Sequence, residues 1–231
     1  MQNHILLEIS VESPERAVAA ERGGADRIEL CGNLAVGGLT PSRELMHEVR
    51  ARVKIPVFAM IRPRAGGFLY SDAEVAAMRE AIALAREMRM DGAVLGLLTQ
   101  ERLVDLARTR HLVEGARGME VTFHRAIDES AQLLEAVDAV AVAGASRILT
   151  SGGKATASEG CETIAAMRER AGGRVRILPG AGITAKNAAE IIQRSGVREV
   201  HAALSSVMRQ DADTKTFEEE VRRLAVSLAG L

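Results

Sequence analysis

Eight short β-branched runs, each followed by a longer amphipathic stretch, restrict what this chain can fold into. The runs are "ILLEIS", "RIELC", "VFAMIR", "AVLGLL", "EVTFHR", "RILTS", "RVRILPG" and "EVHAAL". Stretches between them, such as "SPERAVAAERGG", "PSRELMHEVRARV" and "DAEVAAMREAIALAREM", set apolar residues three and four apart, which is the helical period. Ser13 with Pro14, Thr40 with Pro41, and Ser71 with Asp72 read as helix starts, and Gly23-Gly24, Gly144 and Gly196 as helix stops. Alternating strands and helices give parallel strands joined by right-handed crossovers, and eight such units close into a (β/α)8 barrel of TIM type. An open doubly wound sheet is the alternative. The segment after the first strand, "EISVESPERA", lacks the glycines of its phosphate fingerprint. No linker interrupts the 231 residues, so one α/β domain spanning 1–231 is expected.

A weak internal repeat sets the heights of the strands. In "GGADRIELCG", "AGASRILTSG" and "RSGVREVHAA" a helix-ending glycine precedes a strand by two or three residues, and "MRMDGAVLG" follows the pattern. Aligning the glycines places Glu29, Val94, Leu149 and His201 at one level. Barrel interiors are filled by layers of four side chains from alternate strands. These four are therefore expected to face inward together, with Cys31, Gly96, Ser151 and Ala203 one layer higher. On the odd strands Glu8, Arg62 and His124 are the polar residues near the C-terminal ends, the face where barrel chemistry sits. Alternation puts His124 inward and Arg125 outward or bent over the rim, with Asp128 beyond the strand.

Composition removes several classes of function. Thirty basic residues against 31 acidic give a net charge of −1, and aromatics are 2% of the chain. Neither a polyanion-binding surface nor a stacking platform for single-stranded nucleic acid is expected. No apolar run approaches membrane-spanning length, and "MQNHILLEIS" lacks the layout of a signal peptide, so a cytoplasmic protein without membrane attachment is expected. Two cysteines, Cys31 and Cys161, define no disulfide framework.

The polar residues near the strand ends carry the candidate chemistry. Glu8, Glu29 and His201, on adjacent strands, suit a divalent metal or acid–base work. The structural counterpart is an internal salt bridge in which Glu29, or Glu8, holds Arg62. His124, which shares its strand end with Asp128, is read as a general base or a neutral donor. Arg62, Arg64 and Arg125 suit a small anionic ligand. "TSGGK" (Ser151, Gly152) and "PGAGIT" (Gly180, Gly182) are turns whose amides can meet an anion, or simply tight connections. His4, His47 and His111 carry no such signal, and Lys154 reads as a solvated loop lysine. Cys31, near the mouth, is the candidate soft metal ligand. Cys161 falls in a helical pattern, and no closely spaced Cys/His pair occurs.

Taken in order, "GGADRIELCGNLAVGGLTPS", "IPVFAMIRPRAGGFLYS", "TFHRAID", "RILTSGG" and "LPGAGI" strongly resemble the CutC family, from about the first strand to the eighth. The resemblance implies a TIM-type barrel, a cytoplasmic location, self-association into a homo-oligomer and, through the family's name, copper as a possible cofactor. The matching positions include Glu8, Glu29, Cys31, Arg62, Arg64, His124, Arg125, Asp128, Ser151 and His201. The chain departs from the pattern at Gly66-Gly67-Phe68, where the family often carries an acid, and at Ala203, where serine is common. Three readings follow. They are an enzyme-like barrel with an anion-binding cavity, a copper-binding homeostasis protein without catalysis, and an oligomeric scaffold with a vestigial site.

Overall fold

In a computed structural model, which describes residues 4–204 and 213–231, eight parallel strands alternate with eight helices around a barrel. The elements are β1 (Leu6–Val11), α1 (Pro14–Gly23), β2 (Arg27–Leu30), α2 (Arg43–Arg52), β3 (Val57–Met60), α3 (Asp72–Glu87), β4 (Gly92–Leu95) and α4 (Leu106–Gly115). They continue with β5 (Glu120–Phe123), α5 (Leu133–Ala143), β6 (Arg147–Thr150), α6 (Cys161–Ala171), β7 (Arg176–Pro179), α7 (Ala188–Ser195), β8 (Glu199–Ala202) and α8 (Thr214–Leu228). The hydrogen-bonded order runs β7-β6-β5-β4-β3-β2-β1-β8, with β7 and β8 side by side at the seam. The helices begin and end for local reasons. The Ser13 hydroxyl accepts from Arg16 N–H, and Gly24 closes α1 in the left-handed region at φ 98°. Ser71 and Glu74 form a reciprocal capping box on α3. The helix start read at Thr40-Pro41 lies instead at Ser42, which accepts from Leu45 N–H. Thr40 Oγ1 accepts from Arg62 N–H at 2.9 Å and ties the β2–α2 connection to the end of β3.

Residues pointing away from the barrel axis, such as Ile9, Ile28, Leu95, Phe123 and Ile148, are fully buried under the helix ring. This shell is the main apolar core. The interior differs, because its floor is ionic. Two residues before Glu29, Leu149 and His201 on their strands stand Arg27, Arg147 and Glu199, all buried. Glu199 Oε2 accepts from Arg27 at 3.0 Å and from Arg147 Nε, while Arg27 Nε donates to Glu8. The Phe58 ring lies against both guanidiniums, 4.9 Å from Arg27 and 5.4 Å from Arg147. It fits only because β4 carries Gly92 opposite; a Cβ there would stand 2.5 Å from the ring.

This floor settles the salt-bridge expectation. Arg62 pairs with neither Glu8 nor Glu29. Arg27 shares the inward face of β2 with Glu29 and reaches Glu8 first, and Arg62 lies past the end of β3 among backbone carbonyls. Removing one member of a buried ion network strands its partners. Arg27→Ala is expected to destabilise the protein by about 3–5 kcal/mol, because it leaves the buried Glu8 without its arginine while Glu199 keeps Arg147. Arg43→Ala, at the exposed pair with Glu87, should leave the melt unchanged. Urea unfolding of the two variants checks this, and equal midpoints would remove the network as a stabilising element.

Candidate functional site

The C-terminal mouth of the barrel opens into a cavity of about 860 Å³. This lies in the size range of small-molecule sites, roughly 300–1,000 Å³. Its deep wall is set by strand register. Glu8 sits opposite His201 across β1–β8, and Ser10 sits opposite Glu29 across β1–β2. Glu29, Leu149 and His201 line the cavity together, at the common level given by the glycine repeat. Val94 completes that level against Cys31, Phe58 and Met60.

Glu8 organises this wall. It is fully buried, and burial opposes its charge, but the Arg27 guanidinium and the bond from His201 outweigh that and hold it well below the usual carboxylate range. Glu8 Oε1 lies 2.8 Å from His201 Nδ1, so the imidazole presents Nε2 to the cavity. There Nε2 faces Glu29 Oε2 at 3.8 Å. Burial lowers the basicity of His201, but Glu29 and Glu8 reverse this and raise its pKa. Burial raises the Glu29 pKa, helped by the Glu8 charge and opposed by His201. Glu29 Oε1 and Ser10 Oγ are buried and have no partner among the described residues.

The opposite wall holds His124 and Arg62. The chain leaves the β5 ladder after Phe123, and the short 3-10 turn Arg125–Glu129 follows at once. His124 Nδ1 accepts from Ala126 N–H at 3.2 Å, so the neutral ring carries its proton on Nε2. Burial and the Arg62 charge push its pKa down to about 3. Nε2 is buried and unpartnered. Of the two roles read for His124, this geometry fits the neutral donor. Gly96 makes room for the ring, since a Cβ there would stand 2.5 Å from Nδ1. Phe68 packs on it with ring centroids 5.0 Å apart. Arg62 donates to the carbonyls of Val36, Gly38 and Gly66 at 3.0, 3.2 and 2.9 Å. It forms no ion pair with a carboxylate among the described residues, and its Nε is buried without a partner. The cavity thus meets a cation that no carboxylate among the described residues pairs with.

Several candidate ligand-binding residues do other work. Asp128 occupies the glycine-rich turn after β6 as an internal anion. It accepts from Thr150 Oγ1 at 2.5 Å, from Ser151 N–H, Ser151 Oγ and Gly153 N–H at 3.0 Å, and from Arg125 Nε at 2.9 Å. Gly152 N–H donates to Thr150 Oγ1 at 2.9 Å. Ser151 and Gly152 therefore have no amide to offer a ligand, and Asp128 has both oxygens engaged. Arg125 bends over the rim to Asp128 and Ser151 and still lines the cavity. Arg64 leaves the main cavity; it pairs with Glu74 and borders an adjoining space of about 230 Å³. Gly180 donates along the ladder to Thr150 O and is a packing glycine, since a Cβ there would stand 2.5 Å from Leu149. Gly182, at φ 74°, lines the cavity, and neither its N–H nor that of Ile183 has a protein acceptor among the described residues.

Cys31 is fully buried and donates to Glu29 Oε2 at 3.5 Å. Burial, with the Glu29 charge, raises its pKa well above the ordinary thiol value. Cys161 is the first residue of α6, away from this site. Sequence reasoning missed Ser10, Met60 and Ile183 on the cavity wall. Period-two alternation from Glu8 and Arg62 was the available signal for the first two.

With this geometry in place, comparison with known proteins is decisive. The CutC family model matches residues 5–206. The chain belongs to the CutC family. It is 46% identical to a CutC family protein of Photobacterium profundum over 85% of this chain and 80% of the relative. It is 45% identical to the Homo sapiens copper homeostasis protein cutC homolog, over 88% of this chain and 75% of that one. The crystal structure of a Streptococcus agalactiae CutC superposes with a TM-score of 0.81 at 34% identity, covering 86% of this chain and 98% of that one. A thiamine phosphate pyrophosphorylase from Pyrococcus furiosus, with TM-score 0.65 and 18% identity, shares the fold. Among the described residues, no helix of this CutC-family chain is long and apolar enough to cross a membrane.

The buried neutral imidazole has a measurable signature. The unfolded chain protonates His124 near its ordinary pKa of 6.5, whereas the folded protein resists until about pH 3. The unfolded state binds more protons across that interval, so stability falls as pH drops through it, by up to about 1.4 kcal/mol per pH unit. His124→Gln should flatten this acid limb relative to the parent, because every other titrating group is common to both. Urea melts from pH 7 to pH 4 check it; parallel curves would mean the ring is not buried neutral.

Proposed function

We propose that this CutC-family barrel binds a small anionic molecule, carrying a carboxylate or phosphate and a polarisable oxygen, and acts on it in the mouth cavity. One observation carries the reading. Four buried polar groups without partners among the described residues, Ser10 Oγ, Glu29 Oε1, Arg62 Nε and His124 Nε2, belong to residues that line one cavity. Buried polar groups in proteins are normally paired, so four orphans around a shared space mark the outline of a ligand. Arg62 and the free amides of Gly182 and Ile183 supply the anion's counter-charge and donors. His124 supplies a neutral N–H that polarises an oxygen without bringing a formal charge, a role suited to imidazoles of depressed pKa. The Glu29–His201 wall faces the same ligand from the other side.

Copper comes to this chain through the names of its relatives. Cu(I) favours thiolates, thioethers and imidazoles. Here the soft atoms are Cys31 and Met60, which pack together beside Gly38. The thiol holds its proton and gives it to Glu29 as a hydrogen bond, and the nearby imidazole is fixed by Glu8. These residues do not make a Cu(I) site as arranged, and no step is assigned to copper.

Mass spectrometry of small molecules released from freshly purified protein tests the reading. A carboxylated or phosphorylated compound near one per chain is expected, and Arg62→Met should lower its retention at least tenfold. Protein that releases no organic anion and binds none from a metabolite library would overturn the proposal. For His124, the Gln variant keeps a donor and should hold ligand affinity close to the parent's, whereas His124→Leu removes the donor and should lose about tenfold, in line with about 1–3 kcal/mol for a buried polar group left unpaired. Equal losses in both variants would point to a base instead.

A further inference from the structure

We propose that the Glu29 carboxylate and the His201 Nε2 nitrogen form a divalent-cation site, with Ser10 at its edge and Glu8 orienting the imidazole rather than binding the ion. One ligand atom from each of Glu8, Glu29 and His201 lies within 4.8 Å of the other two. The two carboxylates are not equivalent. Glu8 has Oε2 taken by Arg27 and Oε1 by the His201 Nδ1 hydrogen. A carboxylate on the far nitrogen is how proteins fix the tautomer and direction of a metal-binding imidazole. The near nitrogen then faces Glu29 Oε2 at 3.8 Å, too long for a hydrogen bond and suited to two atoms that share an ion. Two further observations point to a missing ligand. Glu29 Oε1 is buried with no partner among the described residues, and so is Ser10 Oγ, although Ser10 sits directly opposite Glu29 in the β1–β2 register. Both residues line the cavity, so the remaining coordination positions open towards water and towards whatever molecule the cavity holds.

The donor set decides the class of ion. Imidazole nitrogen, carboxylate oxygen and hydroxyl suit a hard or borderline divalent cation such as Mn²⁺ or Zn²⁺, and not Cu(I). Cys31 donates to the same Glu29 oxygen at 3.5 Å, so an ion there replaces the thiol's hydrogen bond without needing the sulfur. The inference rests on reading the cavity as a small-molecule site only in that the ion's open positions would meet that molecule.

Titration of the metal-free, full-length protein with Mn²⁺, followed by the electron spin resonance of the free ion, tests this. One Mn²⁺ per chain is expected, with ¹⁴N modulation from a single imidazole in the pulsed spectrum. Glu29→Gln should weaken binding at least tenfold, His201→Gln should abolish the modulation, and Cys31→Ser should leave both unchanged. Absence of stoichiometric binding, or binding without ¹⁴N modulation, would overturn the proposal in the parent protein alone, whatever the folding of the variants. Full affinity in Glu29→Gln, or a tenfold loss in Cys31→Ser, would overturn it equally. A released organic anion without Mn²⁺ binding would sink this site and leave the proposed function standing; Mn²⁺ binding with no organic anion would do the reverse.

Discussion

The contact between Arg27 and Glu8 fixes most of what is particular to this barrel. A carboxylate with no solvent exposure survives as a charge only beside a cation, and Arg27 supplies it from the layer below. Once Glu8 is ionised and immobile, its second oxygen holds His201 Nδ1, and the imidazole has one direction left in which to present its other nitrogen. Glu29 then meets that nitrogen with no arginine or lysine paired to it among the described residues. The Glu29–His201 face of the cavity is thus the top of a stack whose base is the ionic floor of Arg27, Arg147 and Glu199. An apolar floor of Leu and Val would pack as well, but it would leave Glu8 without its counter-charge and His201 without its orientation.

The glycine-rich turn after β6 shows a different economy. It has the makings of an anion site, with the consecutive left-handed glycines Gly152 and Gly153, two hydroxyls and the adjacent Lys154. The chain fills that site itself, with Asp128. Five donors from Arg125, Thr150, Ser151 and Gly153 converge on one carboxylate. The result is a rim tied together on one side of the mouth, while on the other side the amides of Gly182 and Ile183 have no acceptor among the described residues. Asp128 thus has its charge matched within the rim, whereas Arg62 has no carboxylate partner among the described residues.

The fold was legible because strand–helix alternation is a long-range signal repeated eight times, and no single ambiguous boundary could hide it. The inward level of Glu29 and His201 was legible for the same reason, since helix-ending glycines mark the height at which each strand enters. The partners were not. Arg62 drew the expected salt bridge because it was the visible arginine near the mouth. The true partner, Arg27, stands two residues before Glu29, and period-two counting assigns it to the same face. Nor does one-dimensional patterning show which donors a loop satisfies internally. Whether the amides of "TSGG" face a ligand or Asp128 depends on a carboxylate more than twenty residues away, and only the folded geometry places it there.

The two walls of the cavity differ in how they treat charge. On the His124 side burial and the nearby Arg62 charge together suppress protonation, so the ring is a neutral donor next to a fixed cation. On the Glu29 side two carboxylates compete for one imidazole. With Glu8 matched by Arg27, a ligand spanning the space would find the Arg62 guanidinium at one end and the Glu29 carboxylate at the other. A molecule that is anionic throughout is repelled by the second wall unless something positive stands between. Either a proton shared by Glu29 and His201 or a divalent cation held by them meets that need. The 3.8 Å gap between Nε2 and Oε2, too long for a direct hydrogen bond, favours the ion.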